Sequence, residues 1–293
     1  MTYLKPYAVS IDGTQVNGVT SAPINAGLTT VAPLADGQID PSIVSKLTAR
    51  PRFNFSTLDL NGFFTALGFA GVEGVAITYM QAVDSVGAIA GSGHVTHTLA
   101  NALIVPRTVA ASQDGNASAS AECIGLGVDG GYSAATGALP ALSGVVDKIF
   151  SVGKVSIGGT VITGVQSISV DFGLSVNVVG SDGNIGATHA SVTSRLPKIS
   201  ITTVDIDGVR ALFSGGDSLE LASPAIVYFR KRLACGTYVA DGTAEHIKIT
   251  VTEGCVVNQT AQGGNPGTAS FMIDASKASG SDIVIVSAAS AVT

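Results

Sequence analysis

The stretch VSIDGTQVNGVTSAPINAGL, residues 9–28, returns as VSIGGTVITGVQSISVDFGL, residues 155–174, with half of its positions identical and no gap. The offset of 146 holds well past this segment. Asp36 and Gly37 meet Asp182 and Gly183, Pro51 meets Pro197, and RFNFSTLDLNGFFTAL meets KISITTVDIDGVRALF. After a small insertion, AITYM (76–80) aligns with AIVYF (225–229), His94 with His246, and LIVP (103–106) with CVVN (255–258). Two copies are too few for a solenoid, which needs at least three stacked units. The repeat therefore divides the chain into two like units, residues 1–131 and 147–293. A small-residue join rich in Gly and Pro lies between them at 132–146.

Composition narrows what each unit is. Val, Ile, Thr, Ser and Ala dominate, with 36 glycines, no tryptophan and few charges. This mixture favours short strands and many turns. A surface poor in Lys and Glu suits a protein that covers much of its exterior with partners. The net charge of −6 argues against a nucleic-acid binder. Three cysteines, Cys123, Cys235 and Cys255, make no disulfide framework and read as small buried hydrophobes. The opening MTYLKPYAVS has neither a basic nor an apolar leader region. The one apolar run of membrane length, 62–80, has a duplicate carrying Arg210, Asp217 and Glu220, so it reads as part of a folded unit.

Within one unit, Val155 and Ile157, then GGT, then Val161 and Ile162 predict strand, tight turn, strand. Alternation at Ile168, Val170 and Phe172 predicts a further strand. A long polar segment follows at 180–197, matched by 34–51, each opening on Asp-Gly and closing on Pro. Its equal length in both units predicts an extended hairpin or arm that touches a neighbour. Residues 53–55 and 199–201 read as strands. Each leads into a short helix, where Thr57 and Asp59, or Thr203 and Asp205, supply capping oxygens. Leu60, Phe63, Phe64 and Leu67 share one helical face, as do Ile206, Val209, Leu212 and Phe213. Gly68 and the SGG at 214–216 end the helices. Strands around Tyr228, 247–251, 255–257 and 271–273 complete the unit. The expected fold is mainly β: two tandem β-sandwich or barrel domains, each with one short flanking helix and a long early loop.

No chemistry stands out. GLGVDG (125–130) matches a dinucleotide fingerprint in letters, but no convincing helix follows it, so it reads as a glycine turn. His94 and His97 lie in a β context, where positions three apart face opposite sides, which disfavours a metal site. Neither a catalytic triad nor a cofactor or metal motif is indicated, and no enzyme activity is expected. The basic run Arg230, Lys231 and Arg232, uncharged in the first copy, reads either as a solvated strand end or as a contact with acidic groups of another subunit.

The motif GTxxxGVxSxxxxxGL (13–28 and 159–174), the helix after TxDxxG and the long early loop resemble the tail tube proteins of tailed phages. That resemblance implies a structural virion protein of the tail, with self-association into stacked rings around a lumen for DNA. Two copies per chain imply three chains per ring with pseudo-six-fold symmetry. It also implies tape-measure, terminator and tail-tip proteins as partners, DNA that passes without specific binding, and no membrane partner. Under it, Asp36, Gly37, Ile39, Asp40, Asp182, Gly183, Asn184, Ile185 and His189 are inter-subunit loop candidates. Asp12, Asp171, Asp205 and Asp207 become candidate lumen carboxylates. The alternatives are a capsid decoration or other tail-associated protein, and a receptor- or glycan-binding β-module. The absence of Trp disfavours the last.

Overall fold

The computed structural model describes residues 3–32, 44–142, 146, 149–181, 183–213, 219–221, 223–233, 236–262, 267–276 and 284–292. The chain is mainly β, with two short helices, α1 (Leu60–Leu67) and α2 (Ile206–Leu212). All strand pairs are antiparallel among the described residues.

The two halves build the same layers. In the first, a flanking sheet runs Thr14–Val16, Tyr3–Ile11, Val72–Val83, the start of Val95–Ser112, then Tyr132–Thr136. In the second the order is Thr160–Ile162, Ile149–Ile157, Ala225–Arg232, His246–Val251, Val284–Ser290. The last strand, Val284–Ser290, was not foreseen. Its counterpart Tyr132–Thr136 lies inside the stretch read as the join, so the first half's sheet extends into that stretch. The long strand Val95–Ser112 serves both sheets of its half, whereas its counterpart breaks at Thr252 and Glu253 into His246–Val251 and Gly254–Gln262.

Opposite each flanking sheet lies a second layer. It comprises Val19–Ser21 with Ile24–Asn25, Arg52–Thr57, Ser118–Gly125 and the end of Val95–Ser112 in the first half. In the second half it comprises Val165–Asp171, Lys198–Thr203, Thr268–Ala275 and Gly254–Gln262. The first hairpin turn and the helix N-cap recur in both halves. The first hairpin turns on Asp12 (φ 46°) and Gly13 (φ 82°), the second on Gly158 (φ 58°) and Gly159 (φ 85°). Two successive positive φ values define the type I′ turn that matches strand twist. At α1 the Thr57 hydroxyl donates to Asn17 O (2.5 Å) and accepts from Asp59 N (2.9 Å), while Asp59 Oδ1 accepts from Gly62 N (2.9 Å). At α2, Thr203 donates to Thr163 O (2.5 Å) and accepts from Asp205 N (3.0 Å), and Asp205 Oδ1 accepts from Gly208 N (2.9 Å). α1 buries Leu60, Phe63, Phe64 and Leu67 as its periodicity predicts, whereas α2 buries only Val209 fully. Gly68 closes α1, while Phe213 closes α2; the SGG at 214–216 lies outside the described residues.

The halves are fused into one sheet. Strand Val165–Asp171 pairs with the end of Val95–Ser112, with Ser167 opposite Ser112 and Asp171 opposite Thr108. One hydrophobic core runs through both halves. Phe172 anchors the joint: fully buried, it inserts among Phe63, Phe64 and Phe69 of the first half at centroid distances of 6.5, 6.4 and 4.5 Å.

The strands that flank the long polar segments pair as arms. Leu174–Val179 pairs with His189–Arg195, and Leu28–Val31 with Ser45–Ala49, each as a separate two-stranded hairpin. The expected hairpin is present, and in the second half its tip lies on the first half. Ala49 N donates to Ile185 O (2.7 Å), Gly127 N to Ala187 O (2.8 Å) and Gly186 N to Val128 O (2.9 Å). The neighbour this arm meets is thus the other half of its own chain. No helix among the described residues is long and apolar enough to cross a membrane; residues 62–80 are split between α1 and a strand.

Candidate functional site: the open face of the shared sheet

A strand in a two-layer fold buries alternate residues. In the shared sheet the inward positions are Phe53, Phe55, Ala119, Ala121, Val109, Ile168, Val170, Ile199, Ile201, Phe271 and Ile273. The outward positions are mostly hydroxyls. Along one cross-strand row Ser56, Ser120, Thr108, Asp171, Lys198 and Asp274 lie side by side. The next rows carry Ser118, Ala110, Ser169, Ser200 and Met272, then Ser112, Ser167, Thr202, Ser270 and Thr260. Thr108 and Ser120 hydroxyls bond at 2.8 Å, and their counterparts Thr260 and Ser270 bond at 2.6 Å. The face crosses the joint without interruption.

Its cations are each held by a carboxylate. Glu122 accepts from Arg52 (2.8 Å) and pairs with Arg107, whose Nη1 also donates to Leu174 O across the joint (2.7 Å). Lys198 sits 3.6 Å from Asp274. Exposed pairs contribute only about 0–1 kcal/mol each. Their larger consequence is to leave no unpaired cation among these three to bind phosphate. A surface of short hydroxyls with its positive charge neutralised offers a polyanion little to hold. The Arg52, Arg107 and Glu122 cluster was not found from sequence, since its members sit on three strands and share no motif.

Of the carboxylates singled out, Asp171 lies on this face. Its Oδ1 also accepts from Gly173 N (2.8 Å), fixing the turn into the arm. Asp12 sits in the first hairpin turn, Asp205 caps α2 and Asp207 lies in its first turn, so these three belong to no strand of the shared sheet. Asp205 is held below the usual carboxylate range, first by the Gly208 amide, then by the amide and hydroxyl of Thr163. A depressed folded value means stability that is present above the unfolded value of about 3.9 and lost as pH falls through the folded one. Asp205→Asn keeps one accepting oxygen for the Gly208 amide, gives up those that Thr163 uses, and is expected to flatten the acid limb below about pH 4. Its cost at pH 7 should be about 1–2 kcal/mol. Thermal melts of both proteins from pH 2 to 7 check this; parallel curves would refute it.

The remaining candidates fall elsewhere. Gly183, Asn184, Ile185 and His189 lie in or beside the seated arm tip, while Asp36, Gly37, Ile39, Asp40 and Asp182 lie outside the described residues, as does Cys235. The basic run has partners within the chain: Arg230 pairs with Asp241 (2.6 Å) and lies over the Tyr238 ring, Lys231 pairs with Glu245 (2.5 Å), and Arg232 also faces Tyr238. Acidic groups do meet this cluster, and they are the chain's own.

His94 and His246 are structural locks. Each Nδ1 accepts a backbone amide at 3.1 Å, from Ala82 and Lys231 respectively. His97 instead meets the Tyr132 hydroxyl at 2.9 Å, and burial lowers its pKa. Among the described residues no cluster of His, Cys, Asp or Glu is arranged to hold a metal. Residues 125–130 join two strands, so the helix N-terminus a pyrophosphate needs is missing there. Cys123 is fully buried, and its thiol is pushed well above its ordinary pKa by burial and by the neighbouring Glu122 charge.

No protein-family model matches this chain, and no curated protein matches its sequence.

Proposed function

We propose that the chain is a structural virion protein: a tail tube subunit whose rings of three chains stack around a lumen for DNA passage. The observation that carries this reading is the continuous sheet through two equivalent halves. On this reading the joint inside the chain is one subunit-to-subunit step of the ring, made head-to-tail through unlike edges. Such heterologous contacts close into rings when the rotation permits. The hydroxyl face with its paired cations suits a lumen wall past which a polyanion slides.

The arms suit stacking. They form sheets of their own and expose apolar side chains, with Leu28 at 55%, Leu47 at 57% and Leu196, at the foot of the second, at 63%. Exposed apolar groups clustered on projecting hairpins are expected to be covered by a partner.

Electron microscopy of the purified chain tests the reading. Hollow tubes with three-fold symmetry and a lumen wide enough for DNA are expected. Discrete particles that never stack would favour instead a capsid decoration or other tail-associated protein, or a receptor- or glycan-binding module.

A further inference from the structure

The joint inside the chain leaves the same two edges open at its far ends. Val165–Asp171 corresponds to residues 19–25, which pair with Arg52–Thr57 in the register that Val165–Asp171 keeps with Lys198–Thr203. The end of Val95–Ser112 corresponds to Gly254–Gln262, and even the irregularity beside Thr108 recurs beside Thr260. In the first half Val72 pairs with Ile104 and leaves the rest of that strand for the joint. In the second, Leu219 pairs with Val256 and, among the described residues, no strand covers 257–262 on that side.

We infer that the end of Gly254–Gln262 of one copy, residues 260–262, pairs antiparallel with residues 23–25 of the next copy, in the register of the internal joint. Ile24 then lies opposite Ala261, Asn25 opposite Thr260 and Pro23 opposite Gln262. The inference deepens the ring reading and rests on it for closure.

Hydrogen-bond direction supports the pairing. In the joint, Gln166 O accepts from Gln113 N (2.7 Å) and Phe172 N donates to Arg107 O (3.0 Å). Even-numbered residues of that strand therefore face the partner, which transfers to Ala22, Ile24 and Ala26. Pro23 O accepts from Asn54 N (3.2 Å) on the inner side. The donor that proline lacks is thus not one the open edge needs, and Pro23 does not block the edge as prolines often do. Two anchors do not carry over. Ala26 stands where Phe172 stands, and Met272 where Glu122 stands. The joint between chains is accordingly the weaker one, which lets whole chains fold before they assemble.

Asn25 and Thr260 form a pair that exchanges no backbone bonds, with Cα atoms about 4.5 Å apart, inside the disulfide range of about 4.4–6.8 Å. The full-length double variant Asn25→Cys/Thr260→Cys is assembled, oxidised mildly, run on a denaturing gel and mapped by peptide mass. Pro23→Cys/Gln262→Cys repeats the test without touching Asn25, whose Oδ1 accepts from Gly27 N. Loss of the monomer band into a three-chain species with a 25–260 bond is expected. A bonded ladder with no upper limit keeps the pairing and overturns the three-chain ring. Rings or tubes that yield neither bond overturn the pairing and leave the ring reading intact. No assembly and no bond at the highest soluble concentration overturns both.

Discussion

Phe172→Ala is expected to lower stability by about 3–5 kcal/mol, a fall in melting temperature of about 6–10 °C for a chain of this size. The ring is fully buried, belongs to the second half, and touches three phenylalanines of the first. Its removal opens a cavity beside the paired strands that join the halves. The loss should also be localised. Amide exchange is expected to quicken at Gln113 and Phe172, which bond across the joint, and to remain slow at Gly62 and Gly208, which bond to the helix caps. Calorimetry and exchange together decide the matter. A shift below about 1 kcal/mol, well short of the large-to-small range, would mean that the halves are held by the paired strands without the aromatic anchor.

Gly173→Ala and Gly27→Ala are expected to cost about 2–4 kcal/mol each, and to cost nearly the same. Both residues have left-handed φ, 59° and 58°, which penalises an L side chain by about 1–2 kcal/mol. A Cβ there would also fall inside the van der Waals radius of a carbonyl, Leu196 O in one case and Arg50 O in the other. Each glycine holds its arm to the sheet by the same pair of bonds. Leu196 N donates to Gly173 O and Arg50 N to Gly27 O, both at 3.0 Å. An Asx oxygen two residues earlier accepts the glycine amide, from Asp171 or Asn25, at 2.8 Å. Urea unfolding of the two variants measures the costs. Values differing by more than a factor of two would show that the arms leave the sheet in different ways, despite the matching sequence.

Much of the site was legible as pieces. Ser and Thr alternate with apolar residues in 118–121, 167–170 and 199–202, so period-two burial was foreseeable for each strand. That these strands lie side by side in one face was not. Strand pairing at sequence distances such as Thr108 to Asp171 leaves no periodic trace in either segment. The partners of the basic run were hidden for a related reason. Asp241 and Glu245, which pair with Arg230 and Lys231, come from the loop that follows Tyr238, and charge counted along the chain does not show which carboxylates fold back. The polar segment 180–197 read correctly as an arm, while its seat on Ala49, Gly127 and Val128 was invisible, because backbone amides and carbonyls carry no residue identity.

The sequence by itself determined the local devices: two I′ turns from Asp-Gly and Gly-Gly, two Thr-Asp helix caps, and two arms entered through glycine, each repeated at one offset. These follow from φ preference and from side chains that bond within a few residues, so they are written in short motifs. Only the tertiary structure decided that the halves share a sheet and a core, and which edges remain open. Those outcomes depend on which strand edges come into register after both halves fold and on a single aromatic ring, Phe172, finding a socket built by the other half.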